Sequence, residues 1–599
     1  MDDLLLEPLK YYNERGKQKH HDNIQAYFDA LTAESGIDVE AHRETVRQYH
    51  EQQETVKNLD KKISKYKMIR GLLIALAVLG GFFLIAGFTS HFLWIFPGVA
   101  AIVGAIFLIV KKINPPLKDF NAVLEKETEK ERGLLAQAEA QMAPLNALFD
   151  NTDTFRLIEQ TLPEFKFDMR YSTEREGEFY ARYDFEDILT DESSMLNTIS
   201  GSFKGNPFLY ERYMLHEMGT EIYHGELEIS WVEYYTDSDG NTRSERKRQT
   251  LRASVEKEKP YYLVKTLLCY GHQGCPDLTF TRSAKHTEQK SDKAIARMVK
   301  SGEKDLQKKA RAAVKDGGTF TEMTNTEFDV LFGALDRDNE VQFRMMYTPL
   351  AQNNTVSLLK SKDGFGDDFD MLKQKRLNAI MSEHAQDLEM NTDAENYYSY
   401  NIDEAREKFF NFNETFFKAF FFDFAPLMSV PLYQESPTQS LEPIELPDYH
   451  YSYYEHEVMA NAIDSEALVH EETATEAILK TRAMKMDDLG DCVEVTAYSY
   501  AAEERVDFVP VLGGDGDYHN VPVPWIEYIP LEKKTMMTVH AFDFSQRGLN
   551  EKIEEGFRIP IDTSSGCAYA HGLFAHAVGE EEDAEETVRG ISGAFKDFH

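Results

Sequence analysis

Three short stretches gather residue types that do chemistry. The segment CYGHQGC places Cys269, His272 and Cys275 within seven residues, and thiolate and imidazole are ligands that zinc prefers. Five residues separate the two thiols, where zinc pairs are usually two to four apart, so a turn between strands explains the segment equally well. The segment GCAYAHGLFAH carries Cys567, His571 and His576, a nucleophile with two candidate bases. Such partners usually meet through folding rather than along the chain, and core or turn roles fit the same residues. In GGDGDYHN, Asp515, Asp517 and His519 alternate; that spacing suits either a loose cation loop or a Gly-Asp turn. DSDGN, from Asp237, begins like a calcium loop. Its glycine is fourth rather than sixth and Arg248 stands at the twelfth position, so it fails as an EF-hand. No phosphate loop, dinucleotide fingerprint or nucleophile elbow is present, and no cofactor is assigned.

The elements that position these residues begin with a long apolar run. Between Arg70 and Lys111 there is no Lys, Arg, Asp or Glu. Gly71 to Phe88 and Phe92 to Val110 are near-continuous apolar stretches joined by Thr89, Ser90 and His91. At 1.5 Å per residue each covers roughly 27–29 Å, close to the hydrocarbon thickness of a bilayer. Neither has the polar face that a soluble amphipathic helix needs. The expectation is a transmembrane helical hairpin over 71–110 (71–88 and 92–110). Its helices would approach through the small pairs Ala77/Gly81 and Ala100/Gly104. Lys65, Lys67 and Arg70 precede the first span and Lys111 and Lys112 follow the second, while the connecting turn has no cation. By the positive-inside rule, both termini face the cytoplasm and these five cations sit at the membrane interface.

The flanks of the hairpin carry apolar residues at three- and four-residue steps. Residues 39–70 and 111–149 therefore read as coiled-coil-like stalk helices, broken at Pro115-Pro116, after an N-terminal helical segment over 1–38. Further on the pattern is α+β. A β-rich region spans 150–290, where Leu227, Ile229 and Trp231 alternate, followed by an Asp239-Gly240-Asn241 turn and then Leu251, Ala253 and Val255. An α/β region spans 291–433: a locally basic helix from Ser291 to Val314, then a strand, a charged turn and a helix in NTEFDVLFGALDRDNEVQFRMMYTPLAQNNTVSLLKS. Residues 434–448 are rich in Pro, Ser and Glu and read as a linker to a β-rich C-terminal domain over 449–599. Phe409 to Phe424 place nine phenylalanines around one helix, either a central packed helix or a segment dipping into headgroups. Glu407, Lys408, Glu414, Lys418 and Asp423 make a third span expensive.

A basic-flanked two-span hairpin followed by EFDVLFGALDRDNEVQFRMMYTP resembles uncharacterised bacterial two-span membrane proteins that carry a domain of unknown function. The resemblance covers roughly residues 40–380. It implies this topology and a bacterial inner membrane, and it transfers no catalytic residue.

Composition narrows the function classes. Net charge is -38, so nucleic acid is not the expected partner of the chain as a whole. Four cysteines in 599 residues fit a reducing compartment. The opening MDDLLLEPLKYYNERGK has too short an apolar run for a secretory signal. The acidic run Glu580 to Glu586 reads as a solvated tail. Two functions are expected. The first is a membrane-anchored, cytoplasm-facing scaffold, with the bilayer and a protein partner, or a second copy meeting through the stalk helices. The alternative is a membrane-anchored hydrolase or metal-dependent enzyme using the C-terminal Cys/His or Asp residues.

Overall fold

The uncharged run folds as the facing ends of two long helices. The computed structural model describes residues 3–89, 95–168, 171, 173–183, 192–236, 241–436, 453–463, 465–487, 490–541, 567–570 and 573–579. These form two units: Gln25–Phe149 with Ala394–Asn411, and the remainder.

In the helical unit, Val39–Thr89 is one continuous helix, and Ile95–Leu108 returns alongside it. A single π turn at Ile109–Ile113 then leads into the helix Asn114–Asn146. Pro115 and Pro116 therefore do not break the rod. They occupy the first turn of the third segment, where missing N–H donors cost least, and the wider turn before them absorbs the change in pitch. The flanks run antiparallel and in contact: Tyr66 meets Phe120 with ring centroids 5.6 Å apart, Gln52 Nε2 donates to the Glu127 carbonyl at 2.9 Å, and His42 Nδ1 lies 3.0 Å from Gln141 Oε1. Ile63, Leu117, Ala138, Met142 and Leu145 are buried along the seam. At the apolar end the close approach is Gly80 against Gly98. A Cβ on Gly80 would come within 2.9 Å of the Gly98 carbonyl oxygen. Gly81 and Gly104 have open space instead, which corrects the expected pairs. Both helices are long and apolar enough to cross a membrane, and their apolar stretches are only 6% and 11% buried.

The second unit carries two antiparallel sheets. The larger contains β1 (Phe165–Phe167), β2 (Ser193–Phe203), β3 (Asn206–Thr236), β4 (Thr242–Gly271), β5 (Thr279–Arg282), β6 (Phe369–Gln374) and β7 (Leu377–Ser382), in the order β1-β2-β3-β4-β7-β6-β5. The smaller contains β8 (Ile478–Asp487), β9 (Gly490–Leu512), β10 (Tyr518–Ala541), β11 (Cys567–Ala570) and β12 (Leu573–Gly579), in the order β11-β12-β10-β9-β8. The β3–β4 hairpin is longer than its alternating core suggested, in register from Phe208↔Tyr270 to Thr236↔Thr242. Its outer half packs on the β9–β10 hairpin through Ile229, Leu251 and Val521. Gly225 is required there, because a Cβ would run into the Pro522 carbonyl. Asp239 and Gly240 of the expected turn lie outside the described residues, as do most of the expected linker, the run Glu580 to Glu586, and His571.

The core of this unit is aromatic. The helix Ile402–Met428 belongs to it from Phe412 onward. Phe416, Phe417, Phe420, Phe421, Phe422 and Phe424 are all buried there. Phe424 meets Phe165 and Phe208 edge-on at 4.8 and 5.2 Å, the geometry that ring quadrupoles favour. The central-helix reading holds, and these rings are not available to headgroups. One expectation fails: NTEFDVLF forms the helix Thr326–Phe332, and two further helices follow, Glu340–Met346 and Pro349–Leu359. Each is started by a side-chain cap, from Asn325, Asn339 and Thr348 in turn.

Candidate functional site

A cleft of about 1020 Å³ opens in the sheet-bearing unit. Its walls come from residues around Tyr12 to His21, the 363–365 loop, the short turn at His384–Asp387, and the Glu414 to Ala419 stretch of the phenylalanine helix. His384 forms part of the wall. Its Nδ1 lies 2.6 Å from Asp368 Oδ2, and its Nε2 lies 3.2 Å from the Ala419 carbonyl and 3.4 Å from Asp423 Oδ1. The Phe365 ring lies flat over the imidazole with centroids 3.8 Å apart. Asp423 is fully buried and accepts a short hydrogen bond from the Tyr210 hydroxyl. Asp368, His384, Asp423 and Tyr210 therefore form one chain leading from the cleft into the core.

The electrostatics follow from that chain. Burial pulls the His384 pKa down, but Asp423 and Asp368 outweigh it and hold the imidazole above its ordinary value. Burial raises the Asp423 carboxyl despite the opposing pull of His384. Tyr210 is pushed far up, by burial first and Asp423 second. His20, stacked on Phe417 at 3.9 Å, is lowered to about 4, mainly by burial. His21 pairs with Glu414 at 2.6 Å. Lys17 and Lys418 line the cleft with no carboxylate partner among the described residues; Lys418 lies 4.6 Å from the Phe365 ring centre. Both nitrogens of His384 face oxygen acceptors, an arrangement that favours the protonated ring and leaves neither nitrogen free as a base.

The residues singled out by sequence lie elsewhere. Cys269 is buried in β4 beside Leu209 and Tyr183, its thiol pushed well up by burial. Cys275 lies in the other core with a φ of 53° and donates to the Gln342 carbonyl at 3.3 Å. His272 is lowered to about 4, first by burial and then by Lys373, and its Nδ1 accepts from Gly274 N at 2.9 Å. The two thiols thus belong to separate cores. Asp515, Asp517 and His519 sit in and beside the β9–β10 turn, where Asp515 Oδ2 meets His519 Nε2 at 2.8 Å and Asp517 N donates to Asp515 Oδ1 at 3.2 Å. Those bonds, with Gly514 N donating to Gln249 Oε1 of β4 at 2.7 Å, hold the turn. Among the described residues, no group of three His, Cys, Asp or Glu side chains is arranged to hold a metal. Cys567 and His576 are direct register partners across β11 and β12. Among the described residues His576 Nδ1 is buried with no hydrogen-bond partner, and burial lowers the ring's pKa. Lys65, Lys67, Arg70, Lys111 and Lys112 are exposed on the two long helices at either side of the apolar stretch. Arg70 lies ten residues before Gly80 and Lys111 thirteen after Gly98, which puts both basic collars about 15–20 Å from the crossing.

Sequence reasoning missed the His384 chain. Asp368, His384 and Asp423 are spread over 56 residues with no motif, and only the fold assembles them. Comparison with protein families, curated proteins and solved structures gives no match. Function is therefore read from the geometry of the chain itself.

Proposed function

We propose that this chain is a membrane-anchored scaffold. In this reading the helical hairpin spans a bacterial inner membrane, both large flanks lie in the cytoplasm, and the stalk helices receive a protein partner or a second copy. The observation that carries it is the exposed hairpin surface: Leu72, Phe82, Ile85, Phe96 and Val103 are each 60–66% exposed in a stretch without one charge. Such a face is costly in water and suits hydrocarbon. Exposed basic residues at both ends fit an inward-facing collar. The test is extraction of membranes with alkaline carbonate, together with reporters fused at the carboxyl end. The chain should stay in the pellet until detergent is added, a fluorescent protein should light up, and a periplasm-dependent phosphatase should stay inactive. Release by carbonate, or an active phosphatase, overturns the reading.

One observation favours the enzyme alternative, the Cys567–His576 register pair, with no hydrogen-bond partner for His576 Nδ1 among the described residues. A thiol-directed ester probe tests it. Labelling of Cys567 that is lost in His576→Ala supports a nucleophile and base, and unchanged labelling opposes it.

A further inference from the structure

The helix Asp292–Asp316 is capped at both ends, by the Ser291 side chain accepting from Ala294 N and by Gly317 at a φ of +73°. Its inner face is ordinary. Ile295 and Leu306 are buried, and Gly302 leaves room only for Val330, since a Cβ there would come within 2.6 Å of that side chain.

The outer face is not ordinary. Lys293, Arg297, Lys300, Lys304, Lys308, Arg311 and Lys315 follow one another at steps of four, three, four, four, three and four residues. At about 100° per residue they fall within roughly 80° of arc, and the stripe runs for about 33 Å along the axis. All seven are exposed, and none has a carboxylate partner among the described residues. The acids of the same helix, Asp292, Glu303, Asp305 and Asp316, lie off that arc. Acids outnumber bases 103 to 65 over the chain. An unbroken cationic line is therefore a local inversion of the background, whereas a merely solvated face would mix signs or pair them.

We infer that this stripe binds the anionic headgroups of the bilayer, laying the helix flat along the membrane surface. The inference rests on the membrane-anchored reading proposed above. Charge complementarity defines the partner, because acidic lipids attract Lys and Arg near the surface while repelling the acidic remainder. A straight row of flexible cations suits a plane of phosphates. It lacks the aromatic platforms that grip single strands, since the helix has no Phe, Tyr or Trp. Leu306, Ala310 and Ala313 are taken up by protein and Val314 is the one large apolar side chain left exposed on the helix, so the contact is chiefly electrostatic and does not insert.

The test is lysine footprinting by amine acetylation and mass spectrometry on the full chain in lipid nanodiscs, either purely zwitterionic or with about one third phosphatidylglycerol. Lys300, Lys304 and Lys308 should be protected at least threefold in the anionic discs, with protection lost in high salt, while the exposed Lys166 stays unchanged. The variant K300E/K304E/K308E should lose protection at Lys293 and Lys315, and K300R/K304R/K308R should keep it. Equal labelling in both lipids, in a chain that stays in the discs, overturns the latch and leaves the anchor standing. A chain that elutes apart from the discs overturns the anchor, and with it this inference. Protection by a short DNA duplex in zwitterionic discs, without protection by anionic lipid, overturns the lipid assignment in favour of nucleic acid.

Discussion

Two apolar helical regions of this chain reach opposite solutions. The hairpin mixes aliphatic, aromatic and glycine residues, carries no Lys, Arg, Asp or Glu between Arg70 and Lys111, and leaves most of its apolar stretches uncovered. The phenylalanine helix is interrupted by Glu407, Lys408, Glu414, Lys418 and Asp423, yet nearly all its rings are buried. Glu407 and Glu414 face solvent, and three of the five charges have a charged partner. Lys408 pairs with Glu404 at 3.1 Å, Glu414 with His21 at 2.6 Å, and Asp423 joins the His384 chain. A helix surrounded by protein can place a charge wherever a partner is folded against it. In the membrane-anchored reading proposed above the hairpin cannot, because lipid offers no partner. Charge placement separates the two regions where hydrophobicity alone does not.

The largest effect that tests this contrast comes from ring truncation. Phe424 is buried among Phe165, Phe203, Phe208 and Phe420, so Phe424→Ala should cost about 3–5 kcal/mol in denaturant unfolding of the detergent-solubilised protein. Phe82, which is 66% exposed, should lose less than about 0.5 kcal/mol on the same change in detergent. Comparable losses at the two sites would erase the distinction. A smaller effect is expected within the hairpin. Gly98→Leu must push against the Gly80 carbonyl and Leu84, and overpacking of this kind costs about 1–3 kcal/mol. Gly104→Ala and Gly81→Ala meet open space and should leave thermal unfolding of the helix signal unmoved. If Gly104→Ala disrupts the hairpin and Gly98→Leu does not, the crossing point is wrongly placed.

What sequence reveals divides along similar lines. The hairpin, the β3–β4 ribbon and the basic helix were all legible because each signal is local: an uncharged run, an alternation around a turn, a dense set of lysines. The helix at Thr326–Phe332 reads in sequence as a strand. Seven residues are too few to separate a period of 3.6 from a period of two. The better signal was the capping residue, Asn325 or Asn339, three positions ahead of the backbone amide it accepts from. Gly80 and Gly98 were passed over because their neighbours Gly81 and Ala100 offered equally small pairs, and only the rotation of the two helices selects between them. The His384 chain left no trace in sequence, since its members come from β3, the residue before β6, the turn after β7 and the phenylalanine helix.

That chain supplies the subtlest prediction, a dependence on pH. The imidazole of His384 is held above its ordinary 6.5 by the two carboxylates despite its burial. Folding therefore favours the protonated ring. Its stabilisation is present in full below the unfolded value and is lost as pH rises through the higher folded value. Replacement by glutamine keeps a polar side chain but removes the cation. The stability gap between the wild type and His384→Gln, read from urea unfolding of the solubilised chain, should be widest near about pH 5.5 and narrow toward about pH 8.5. The only ionisable residue between Arg70 and Lys111 is His91, away from Gly98 in the sequence, so hairpin variants such as Gly98→Leu should show a penalty that is flat over the same range. A gap for His384→Gln that widens with rising pH would mean the ring is neutral in the folded protein. Asp368 and Asp423 would then lack the imidazolium that faces them at 2.6 and 3.4 Å, and the chain would be held by neutral hydrogen bonds.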